Sequence, residues 1–164
     1  MAGRRMNEEL ARNLWHMGGG HAIGAEAVVH RAQDWAREIE AEDPQKAVFN
    51  GKYSASIYLL LGYSLELLLK AAFVAHGGDP NQLGVRGIGH DLGAALKAAE
   101  ELGFRSGAPH LREIVELLQS PHSEHQFRYG GKDEFPLPAN VDEVVGSLNH
   151  LASEVQELLY PEGR

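Results

Sequence analysis

The chain has 164 residues, no cysteine and a formal net charge of −8 with neutral histidines. That length fits one domain, able to bury close to ~70% of the surface its unfolded form exposes. The missing cysteines exclude disulfides, thiolate chemistry and cysteine zinc sites, and permit a reducing cytoplasm. The acidic balance argues against broad nonspecific binding to nucleic acid, which needs a basic footprint, but leaves room for a local pocket.

The N-terminus, MAGRRMNEELARNLW, begins basic and lacks the apolar core of a signal peptide. Asn7 is placed to cap a short helix that the glycines at 18–20 would stop. Residues 1–20 are therefore expected to form a flexible arm or a small packing helix. A second helix is predicted from Gly24 to Ala41, with Val28, Ala32, Trp35 and Ile39 on its inner face.

A long helix is predicted from Gln45 to His76, ended by Gly77 and Gly78. Between Ile57 and Val74 it is apolar nearly all round, which marks the central rod of a bundle. That run approaches the length of a membrane span. Glu66 and Lys70 lie inside it, and each would cost ~2.5–3.5 kcal/mol at a bilayer centre, so no membrane insertion is expected. Lys52, Ser56, Tyr63, Glu66 and Lys70 fall on one helical stripe, and Glu66 and Lys70 stand one turn apart in the favourable order for an ion pair.

Asp91 should cap the next helix, whose inner face would carry Leu92, Leu96, Ala99 and Leu102 before Gly103 stops it. A fifth helix, 108–119, would turn Leu111, Ile114, Val115 and Leu118 inward. A loop from Ser120 to Ala139 follows, longer than the connections usual in compact domains. The last helix carries Val141, Val144, Val145, Leu148, Leu151, Val155, Leu158 and Leu159 on one side. No stretch alternates as a strand would. The expected fold is all-α: one domain over 1–164, an up-and-down bundle of four to five helices plus the short N-terminal helix.

The segments GYSLELLLKA, GHDLGAALKAAEE and HSEHQFRYG, followed by the closing amphipathic helix, resemble in order and spacing the HEPN superfamily. The likeness is strongest to members similar to the helical C-terminal domain of kanamycin-type nucleotidyltransferases, and it covers about Trp35 to Leu159. It implies a cytoplasmic helical bundle, often a homodimer, frequently paired with a nucleotidyltransferase as a toxin–antitoxin system. Toxic members are metal-independent ribonucleases marked by an arginine followed, after four to six residues, by a histidine. Other members bind nucleotides, RNA or partner proteins. Arg105 and His110 are one pair at that spacing here, with Gly107 and Pro109 placing the arginine in a turn.

The candidate ligand-binding residues are Tyr63, Glu66, Lys70, His90, Arg128 and Tyr129. Arg128 offers a planar fork for phosphate or carboxylate, or a brace to Glu66; Tyr129 offers a stacking ring or an anchor. Glu66 and Lys70 read equally as a structural ion pair or as part of a pocket. His90 could reach a pocket from just before the Asp91 cap. If the chain is an enzyme, Arg105 or Arg128 would stabilise charge on phosphate, and His110, His122 or His125 would act as acid or base. His122 and His125 have a spacing that can hold a metal on a helix, but the segment lacks helical patterning, so neither metal nor cofactor is expected. The main expectation is a binding module for a protein partner, nucleotide or RNA. The alternatives are a ribonuclease toxin and a purely structural partner of a nucleotidyltransferase.

Overall fold

The computed structural model describes residues 2–123 and 140–161, and over them the chain is all-helical, without strands. Six α-helices follow in order: α1 (Ala2–Glu38), α2 (Pro44–Asn50), α3 (Ser54–Ala75), α4 (Leu92–Glu101), α5 (Leu111–Ser123) and α6 (Val141–Leu159). A short 3-10 turn, Pro80–Leu83, lies between α3 and α4. The rod α3 touches all five other helices and packs most extensively along α1. It is long and apolar enough to cross a membrane, and 78% of its most apolar window is buried inside the protein.

The largest departure from expectation is at the N-terminus. There is no short helix and no arm over 2–20: the chain is helical from Ala2 through the three glycines to Glu38. Each glycine costs about 1 kcal/mol against alanine in a helix interior, and tertiary packing offsets this. The buried positions of α1 are small: Ala11, Gly18, Ala22, Ala25, Val29, Ala32 and Ala36, at alternating steps of three, four or seven. They let α1 approach α3 closely. A Cβ on Gly18 would stand 2.9 Å from Leu68 Cγ, and the Gly18 carbonyl accepts a 2.9 Å bond from Ser64 Oγ. The inner face is thus rotated from the one expected. Ile39 lies beyond the helix end and is exposed, while Val28 and Trp35 are half-buried.

The predicted helix over 45–76 is two helices. Asp43 caps α2, accepting from Lys46 N, with Pro44 in the first turn. Gly51 is the C-cap of α2, and a side chain there would overlap the Trp35 ring and the Ala47 carbonyl. Lys52 therefore leaves the α3 stripe and lies 5.0 Å over the Trp35 ring and 4.9 Å over the Tyr53 ring. Asp91 caps α4 as expected, accepting from Ala94 N at 2.8 Å, and Gly103 (φ 104) terminates it. Leu92, Leu96 and Ala99 are buried together with Ala95, whereas Leu102 is exposed at the C-cap. Leu111, Ile114, Val115 and Leu118 of α5 are all buried, as are Val141, Val144, Leu148, Leu151 and Val155 of α6; Leu158 lies at the exposed margin.

Candidate functional site

At mid-length of the apolar rod, one carboxylate gathers three nitrogen-bearing side chains. Glu66 is buried, and its Oε1 accepts a 2.7 Å bond from Lys70 Nζ, one turn on along α3. Its Oε2 lies 2.7 Å from His122 Nε2 and 3.1 Å from His90 Nδ1. Lys70 and His122 are also buried; the His90 side chain is 43% exposed and forms the solvent-facing member.

Each partner is delivered by a different piece of local structure. The helical repeat sets the Glu66–Lys70 pair. His90 is held by a turn in which Ile88 is buried, Gly89 adopts φ 57 and Asp91 begins α4. His122 comes from the last turn of α5, which runs on through Pro121 to Ser123 rather than stopping at Gln119. The loop expected from Ser120 therefore starts later, and His122 belongs to a helix packed on α3. Gly62 makes the room: a side chain at that position would overlap His122 Nδ1.

Burial pushes the Glu66 carboxyl upward, but the hydrogen bonds from His122, Lys70 and His90 outweigh it and hold the group at about 2. Glu66 is therefore ionised at neutral pH and compensates the ammonium beside it. Each imidazole turns one nitrogen to the carboxylate, Nε2 in His122 and Nδ1 in His90.

Aromatic rings extend the node in a row. Tyr63 stands edge-on to His122 with centroids 5.4 Å apart, and His122 stands edge-on to His90 at 6.3 Å. On the other side His21 stacks on Tyr63 at 5.6 Å. His21, Tyr63 and His90 are each half-buried, so the row has accessible edges. His21 follows the glycines that would be expected to end a helix. Its place in the row comes from α1 continuing past them, and the spacing from Gly18, which packs on Leu68, is the signal that could have found it.

Of the expected ligand-binding residues, Tyr63, Glu66, Lys70 and His90 are brought together, joined by His122 from the acid/base candidates. His125, Arg128 and Tyr129 lie outside the described residues. Arg105 and His110 are not in the node. They share a separate cavity of about 320 Å³ with Glu100, Arg112 and Glu113. There Arg105 donates to the carbonyls of Glu100 and Phe104, and His110 Nδ1 lies 3.0 Å from Glu113 Oε2. A further cavity of about 840 Å³, bordered by Arg12, His76 and Leu159, also contains none of the node. No protein-family model, curated protein or solved structure matches the chain.

Proposed function

We propose that the chain is a HEPN-like helical binding module that takes a nucleotide, free or at the end of an RNA, at the row of rings beside Glu66. The observation that carries this reading is the convergence of His21, Tyr63, His122 and His90 into one aromatic series flanked by the Glu66–Lys70 pair. Bases stack on such side chains with about 1–3 kcal/mol per base and little regard to sequence. The half-exposed His90 gives the row a solvent-facing edge. The net charge of −8 disfavours long polyanions and favours a single nucleotide over an extended strand.

The test is a calorimetric titration of the full chain with nucleoside mono- and triphosphates and with a short single-stranded RNA, repeated on Tyr63→Ala. Saturable binding that weakens roughly tenfold or more in Tyr63→Ala, in line with the loss of one stacked base, supports the reading. Binding to none of these probes, or binding indifferent to Tyr63→Ala, overturns it. RNA cleavage abolished by His110→Ala would instead favour the metal-independent ribonuclease.

A further inference from the structure

The same convergence has the chemistry of a metal centre. Glu66 Oε2, His122 Nε2 and His90 Nδ1 are a carboxylate oxygen and two imidazole nitrogens, and one ligand atom from each residue lies within 4.8 Å of the other two. Two histidines and a glutamate are a donor set that zinc uses in catalytic sites, where three protein ligands leave a fourth position to water or substrate. We propose that Glu66, His90 and His122 bind a divalent transition-metal ion of the zinc class.

Two of the three gaps between ligand atoms are already close to those a bound ion needs. A tetrahedral ion with bonds of about 2.0–2.1 Å sets its ligand atoms roughly 3.3 Å apart. The carboxylate oxygen already stands 3.1 Å from His90 Nδ1 and 2.7 Å from His122 Nε2. The second gap must open by roughly 0.6 Å, and the two imidazole nitrogens, which lie within 4.8 Å of each other, must take the same spacing to seat the ion. Each imidazole binds through the nitrogen now turned to the carboxylate, and its proton moves to the other ring nitrogen, so a neutral ring releases none. Lys70 acts as an outer partner: bonded to Oε1, it orients the carboxylate so that Oε2 faces His122, while His90 Nδ1 lies 3.1 Å from Oε2 and 3.2 Å from Oε1. The ligands sit on three separately anchored pieces of backbone, the α3 rod, the turn capped by Asp91 and the end of α5. A site built on packed elements is preorganised in a way that surface histidines are not.

This inference goes beyond the nucleotide reading and is tested without any nucleotide. The metal-free chain is titrated with Zn²⁺ by calorimetry at neutral pH, and with Co²⁺ by visible absorption. Expected is one high-affinity equivalent per chain, with the intense visible bands of a four-coordinate Co²⁺ ion. Affinity should fall at least tenfold in His90→Ala, whose half-exposed side chain can be removed without emptying the core, and stay unchanged in His30→Ala, an exposed control. Glu66→Gln, checked for retained helicity, should weaken binding as well. Absence of a stoichiometric equivalent, weak six-coordinate Co²⁺ bands, or uptake equal in His90→Ala and wild type would overturn the proposal.

Discussion

His122 Nε2 lies 2.7 Å from Glu66 Oε2 although 56 residues separate the two in sequence, and both side chains are buried. This contact ties the end of α5 to the middle of the rod. Replacing His122 by alanine removes one of three donors from a buried carboxylate and leaves a void. A loss of about 2–4 kcal/mol in urea unfolding is expected. Gly62→Ala should act on the same contact from the other side, because its methyl group overlaps His122 Nδ1 and forces the ring away. Overpacking of this kind costs about 1–3 kcal/mol. A Gly62→Ala protein as stable as wild type would mean that the imidazole does not occupy this place.

The ionisation of Glu66 makes stability depend on pH in a defined direction. Its carboxyl is held at about 2 in the folded protein against an ordinary 4.5. Because the folded value is the lower one, the stabilisation is fully present above pH 4.5 and is lost as pH falls toward 2. By pH 3 roughly 2 kcal/mol of it should be gone. Urea midpoints measured from pH 7 to pH 3 should fall less steeply for Glu66→Gln than for wild type. Parallel profiles would assign the acid sensitivity to other carboxyls.

The Glu66–Lys70 pair should show strong coupling in a double-mutant cycle. Glu66→Gln leaves a buried ammonium, Lys70→Met leaves a buried carboxylate with imidazole partners alone, and each is expected to cost about 3 kcal/mol or more. The double variant should cost less than the sum by about 1–3 kcal/mol. Additive losses would show that the two groups do not compensate each other.

The three glycines of α1 should respond differently to alanine. Gly19 and Gly20 have open space where a Cβ would be, so Gly19→Ala and Gly20→Ala should each stabilise by about 0.5–1 kcal/mol through helix propensity. Gly18→Ala should destabilise by about 1–3 kcal/mol, since its methyl meets Leu68 Cγ at 2.9 Å. Thermal unfolding of the three single variants checks the order. If all three were destabilising, the continuous helix would be in question.

The same glycines show where sequence reasoning stops. A glycine is a helix terminator only when the chain gains by taking positive φ there, and the sequence alone does not say what α1 gains by continuing. Local rules did carry the Asp91 cap, the Gly103 stop, the Glu66–Lys70 pair and the inward faces of α5 and most of α6, because each depends on neighbours within a turn or two. The convergence on Glu66 depends on contacts spanning 24 residues to His90 and 56 to His122, which only packing fixes. The segment after Gln119 lacks helical patterning, yet α5 continues through it and carries His122 inward. The resemblance had pointed to Arg105 and His110, which lie on a different cavity.

The ligand role of the Glu66 node is tested most directly by ring resonances of the nine histidines, followed by NMR while AMP is added to the full chain. His21, His90 and His122 should shift along saturating curves with one common dissociation constant, while the exposed His30 and His150 stay in place. Shifts absent from the three node histidines, or equal in size across all nine, would contradict a binding site there.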